Sequence, residues 1–109
     1  MLNLSGFTGT EQYHKLTAFG HFVCTDGVHY VAEQGRAYWL VDAIASYQHK
    51  LRGEEFQCWN LKVKGNTAVL TCDDGNDKEL IRQEIEYTDF PQDIKMYLTN
   101  DVLMLTSEY

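Results

Sequence analysis

The hydrophobic period of this chain changes from 3.6 to 2 near Gly53–Glu55, and that switch restricts the fold more than any other feature. Upstream of it, Ala37, Leu40, Val41, Ile44, Tyr47 and Leu51 recur at i, i+3, i+4, i+7 spacing, which predicts a helix from Arg36 to Leu51. Trp39 and Ala43 widen the apolar stripe, and Asp42, Ser46 and His49 lie opposite it. Lys50 and Arg52 suit the negative end of the helix dipole, and Gly53 suits the position after the cap. Downstream, Phe56 to Val63 alternates, with Trp59, Leu61 and Val63 on one face. Lys64–Gly65–Asn66–Thr67 reads as a turn, and Ala68 to Cys72 as the returning strand. Pairing about Gly65–Asn66 sets Trp59 opposite Cys72, Leu61 opposite Leu70 and Val63 opposite Ala68. All six then share a face, which fixes the register. Cys58 falls on the other face from Cys72, which argues against a disulfide between them.

Three further strands are expected. Glu79 to Tyr87 places Ile81, Ile85 and Tyr87 inward and Arg82, Glu84 and Glu86 outward. Thr88–Asp89–Phe90–Pro91 breaks it, and Ile94–Leu98 with Val102–Thr106 forms a last hairpin around Asn100–Asp101. Ahead of the main helix, Thr10 is the expected N-cap of a helix carrying Tyr13, Leu16 and Phe19 and stopped at Gly20. His21 to Cys24 reads as a short extended piece. Thr25 or Asp26 then caps a short helix over Gly27–Glu33, ended at Gly35. The fold class expected is α+β, with N-terminal helices packed on one face of an antiparallel sheet of about five strands. At 109 residues the chain suits a single domain, mainly helical over 1–53 and mainly β over 54–109.

Charge divides the chain in the same way. Residues 1–52 hold four acids and four bases, and residues 53–109 hold twelve acids and five bases, so the whole net charge of −7 lies in the sheet half. Phosphates demand Lys and Arg, so direct nucleic-acid binding is not expected. A basic protein partner fits, and so does imitation of a phosphate backbone; the plainer reading is a solvated acidic surface. Asp73, Asp74, Asp77, Glu84, Glu86 and Asp89 are the expected interaction surface. Most of the 14 aromatic residues should fill the core, and any left exposed as a patch would make a homodimer seam. No run reaches the length of a membrane span, and the start lacks the features of a secretory signal, so no membrane association is expected. Three cysteines, Cys24, Cys58 and Cys72, make a poor disulfide framework and suit a cytoplasmic protein.

Specific chemistry finds little support. Asp73 to Glu79 crowds carboxylates into one loop, but Gly75 comes too early for a calcium-binding EF-hand loop; a turn is the simpler reading. His14, His21, His29, His49 and Cys24 lack the paired spacings of a zinc site. Cys24 beside His21 or His29 would set a thiol near a base, yet nothing completes the relay. Asp42 and His49 are about 10.5 Å apart along a helix axis, too far for one. Catalytic, cofactor and metal residues are therefore assigned to none. The alternative of another class is a small hydrolase or ligand-binding domain with a pocket between helix and sheet, bringing Asp26, His29, Asp42 or His49 beside Tyr87 and Asp89.

Phe7-Thr-Gly-Thr-Glu11, Thr25-Asp-Gly-Val28, Ala37-Tyr-Trp-Leu-Val-Asp-Ala-Ile-Ala-Ser46, Cys72-Asp-Asp-Gly-Asn76, Tyr87-Thr-Asp-Phe-Pro91 and the ending Ser107-Glu-Tyr109 together resemble a family of small uncharacterised bacterial proteins carried on plasmids and phages. The resemblance covers nearly the whole chain and implies a mobile-element setting. It implies no reaction and assigns no residue a role. The expected function is a non-enzymatic protein-interaction module, and in its sharper form an anti-defence inhibitor.

Overall fold

A computed structural model describes residues 2–17 and 21–109. Its elements are β1 (Val23–Cys24), α1 (Asp26–Gln34), α2 (Tyr38–Ser46), β2 (Phe56–Lys64), β3 (Thr67–Asp73), β4 (Glu79–Ile85), β5 (Ile94–Thr99) and β6 (Val102–Leu105). Among the described residues the fold is α+β, with two helices and a six-stranded mixed sheet in the order β1-β6-β5-β2-β3-β4. The sixth strand is the extended piece before α1. It pairs in parallel with β6, Val23 facing Val102 and Cys24 facing Leu103, so the expected five-stranded antiparallel sheet is corrected on both counts. Two residues are too few to display an alternation.

The β2–β3 register is the one read from the alternation: Trp59 faces Cys72, Leu61 faces Leu70 and Val63 faces Ala68. On its other side β2 pairs with β5, bringing Met96 and Ile94 beside Trp59 and Leu61. Asn100 and Asp101 both have positive φ (52° and 59°), as a tight two-residue hairpin turn between β5 and β6 requires. Trp59, Leu61, Leu70, Met96 and Leu103 form one buried cluster with Val28 and Val31 of α1 and Leu40, Val41 and Ile44 of α2. On the opposite face of the sheet Lys62, Glu84 and Lys95 are exposed, whereas Cys58 is buried.

The main helix is shorter than its periodicity. Arg36 sits at φ 51°, so α2 starts only at Tyr38. After Ser46 the chain tightens into a 3₁₀ turn, Gln48–Lys50, where the Gln48 side chain takes the carbonyl of Ile44. Leu51 is still buried. No helix forms from Thr10 to Thr17, and Phe19 and Gly20 lie outside the described residues. Tyr13 is 62% exposed, so the supposed stripe buries too little to hold a helix of that length. His14 instead makes an antiparallel bridge to Cys24. Thr25 does cap α1, its hydroxyl accepting from the Val28 amide at 3.4 Å.

At the far edge β4 ends at Ile85, and Tyr87 is 71% exposed, not inward as expected. The Thr88 amide bonds to the carbonyl of Asn66, and Thr88 and Phe90 take the buried positions. The β3–β4 ladder slips between Cys72 and Asp73, where Leu80 is the extra residue of a bulge.

Candidate functional site

The six carboxylates expected to form an interaction surface all lie on the β3–β4 hairpin and the loop after it, along one edge of the sheet. They fall into two groups. Asp73, Asp74 and Asp77 sit at the hairpin tip, and Glu84, Glu86 and Asp89 lie toward and past the other end of β4. Seven strand residues separate the two ends by roughly 20 Å. Glu84, Glu86, Asp77 and Asp89 are exposed, and Asp73 and Asp74 are half-buried.

The tip is a self-contained turn. Asp73 Oδ1 accepts from the Gly75 amide at 2.8 Å, and Asp74 Oδ1 accepts from Asn76 at 2.8 Å and Lys78 at 3.3 Å. Gly75 has φ 88°, and a Cβ there would stand 2.9 Å from the Phe56 ring, so its place admits only glycine. The carboxylates thus serve the turn's own amides. Among the described residues no group of three or more His, Cys, Asp or Glu could hold a metal ion.

The N-terminus of α1 gathers a second set. Nε2 of His14 donates to Oδ1 of Asp26 at 2.8 Å, and the Glu11 amide donates to Oδ2 at 2.9 Å. The His14 hydrogen bond, and after it that of Glu11, holds the Asp26 carboxyl below its ordinary range. The His14 ring stacks on His29 at 4.2 Å between centroids, and His29 Nε2 lies 3.3 Å from Oε2 of Glu33. This arrangement can orient an imidazole. Burial pushes the nearby Cys24 thiol up to about 12 and Cys72 to about 12, and raises Cys58 as well.

A cleft of about 830 Å³ opens between the end of α2 and the sheet. His49 and Ser46 line it, with Phe22, Leu51 and Leu98 as apolar walls and Arg52 and Asp101 among its charged residues. Asp26, His29, Asp42, Tyr87 and Asp89 do not line it, so the constellation of the pocket alternative is dispersed. The Ser46 hydroxyl is turned to the Ala43 carbonyl at 2.6 Å. The cleft also reaches a buried polar assembly that periodicity could not reveal. The amides of Gln48 and Gln57 bond to each other twice, each at 2.9 Å, and Gln57 Oε1 accepts the Trp59 indole N–H at 2.9 Å. Glu108 was missed too: its carboxylate takes the Gly27 amide and the Thr25 hydroxyl. Its only signal in the sequence is its place in the Ser107-Glu-Tyr109 ending.

Among the described residues no helix is long and apolar enough to cross a membrane. A family model described as "Family of unknown function (DUF6876)" matches residues 2–109. No curated protein and no solved structure matches the chain.

Proposed function

This chain belongs to the DUF6876 family of unknown function, and from that premise we propose that it is a non-enzymatic protein-interaction module whose acidic hairpin edge faces a basic partner. One observation carries the reading. Residues 73–89 hold seven carboxylates against only Lys78 and Arg82, and they occupy one edge of the sheet. An exposed strip of one dominant sign attracts a basic protein over about 10 Å at ordinary ionic strength. The buried thiols, all three free, support a reducing compartment such as the cytoplasm and leave no reactive nucleophile among the cysteines.

In its sharper form the module is an anti-defence inhibitor of mobile-element origin. It presents carboxylates where a host protein otherwise receives nucleic acid. The one-sided charge and the resemblance to plasmid- and phage-borne proteins support this form.

The test is a pull-down from host lysate at low and then physiological salt, run in parallel with the variant D77N/E86Q/D89N. A basic protein held by the wild type, weakened by salt and lost by the variant supports the reading. Equal capture by both chains, or no basic protein at low salt, overturns it.

A second reading, a small-ligand domain, is favoured by the cleft beside His49. A metabolite screen by thermal shift addresses it, since any ligand of the native state raises stability. A shift abolished by H49A supports a ligand at this cleft.

A further inference from the structure

β4 is an edge strand of seven residues, hydrogen-bonded to β3 on one side, and among the described residues nothing pairs with its other side. We propose that this edge is the seam of a two-fold dimer, in which β4 pairs antiparallel with β4 of a second copy about Gln83. The seam takes Glu84 out of the acidic strip of the basic-partner reading and leaves Asp73, Asp74, Asp77, Glu86 and Asp89 outside the paired residues 81–85.

The register follows from side-chain parity and charge. In an antiparallel pair, directly opposed residues project from the same face, so the centre of a symmetric pair must be a residue of the strand itself. Centring on Arg82 would oppose two arginines, and centring on Glu84 would oppose two glutamates. Centring on Gln83 opposes Arg82 to Glu84 twice, on the exposed face. On the other face it opposes Ile81 to Ile85 twice. Unlike charges directly across a ladder stabilise it, and like charges destabilise it. Of these three registers only the one on Gln83 is free of a like-charge pair within residues 81–85.

The environment of those side chains agrees. Ile81 and Ile85 are half-buried and pack on the margin of the core, so a second copy would extend that core across the seam. Arg82 now reaches back to Glu79 at 3.0 Å, in a pair more than half exposed on both sides, and an ion pair of that kind holds an arginine only weakly. The bulge at Leu80 and the strand end at Ile85 leave Asp77 and Asp89 outside the ladder. A charged edge is also a common defence against strand pairing. Here the two exposed charges nearest the centre are of opposite sign and two residues apart, which makes the edge attractive to its own copy in one register. The contact is isologous and closes at two subunits.

The experiment is sedimentation velocity across a concentration series, on the wild type, R82E, E84R and R82E/E84R, with circular dichroism to confirm that each is folded. The wild type should approach twice its 12.6 kDa mass as concentration rises. Each single reversal sets like charges opposite each other at both sites and should weaken association on the order of tenfold or more. The double reversal restores unlike pairs and should restore the dimer, although the Arg82–Glu79 contact is lost in it as in R82E. A wild type that stays monomeric up to roughly millimolar concentration, where even weak specific association registers, overturns the proposal. So does a dimer indifferent to both single reversals, or a double reversal no better than the singles.

Discussion

The carboxylate of Glu108 accepts the backbone N–H of Gly27 at 3.1 Å, so the segment after β6 caps the start of α1. The same carboxylate takes the Thr25 hydroxyl at 2.6 Å and the Leu105 amide at 3.0 Å. The approach is close: a Cβ on Gly27 would stand 2.5 Å from Oε1 of Glu108 and 2.6 Å from Cδ1 of Leu105. Phe7-Thr-Gly-Thr-Glu11 reaches the same place, where the Thr10 hydroxyl accepts from the Asp26 amide at 2.9 Å. Three of the segments that carry the family resemblance therefore meet at one helix end, and what they do there is hold it.

Removing that carboxylate is the direct check. Glu108→Ala strips three hydrogen bonds from a half-buried anion at a helix N-terminus and should cost about 2 kcal/mol in urea unfolding. Gly27→Ala should cost about as much by overpacking, through contact with Leu105 and Glu108. A variant lacking residues 108–109 that melts with the wild type would show that the cap contributes nothing.

Asp26 makes acid stability sensitive to one residue. Its carboxyl is held below the ordinary 3.8, so the unfolded chain binds a proton more readily than the folded one. The resulting stabilisation is complete above about pH 5 and is lost as pH falls from there through the folded value. Asp26→Asn should therefore flatten the acid limb of the stability curve, and the difference from wild type should narrow between pH 6 and pH 3. Equal slopes for the two proteins over that range would remove the His14–Asp26 bond as a source of stability.

What was legible in the sequence follows from how local each signal is. Trp59, Leu61 and Val63 against Cys72, Leu70 and Ala68 could be read because a short turn joins them and one-residue slippage would invert every side chain. Thr25 could be read, beside Asp26, as a candidate cap because its target, Val28, is three residues on. Thr10 is equally a capping residue, but its target is Asp26, sixteen residues away, and spacing alone could not tell that helix from one of its own. The Glu108–Gly27 and Gln48–Gln57 contacts join elements brought together only by tertiary folding, so no pattern carries them. That β4 is an edge strand depends on β5 pairing with the other side of β2, a contact that no local pattern carries.

The cysteines give an alkaline counterpart to Asp26. Burial raises Cys24 and Cys72 from 9.0 to about 12, so above pH 9 the unfolded chain gives up protons that the folded chain keeps. Stability should be intact below pH 9 and fall as pH rises from there toward 12. At pH 8 the native protein should react only slowly with a disulfide reagent, and all three thiols should titrate once guanidinium is added. Rapid modification of Cys24 or Cys72 in the native protein would contradict the burial that also excludes them as nucleophiles.

The Trp59–Gln57–Gln48 assembly sets a stricter condition, because its members are satisfied only together. Gln57 is 4% exposed and Trp59 fully buried, so neither can turn to solvent for a replacement partner. Gln57→Met preserves most of the volume but strands the Trp59 indole N–H and breaks both amide bonds from Gln48. An unsatisfied buried donor costs about 1–3 kcal/mol, and Gln57→Met should fall in the upper part of that range. Gln48→Met leaves the Trp59 bond in place and should cost less. The two amides act as one unit, so Q48M/Q57M should destabilise by clearly less than the two single changes added. Strict additivity in denaturant melts would mean that the two amides contribute independently and that the reciprocal pair is not what joins the end of α2 to the sheet.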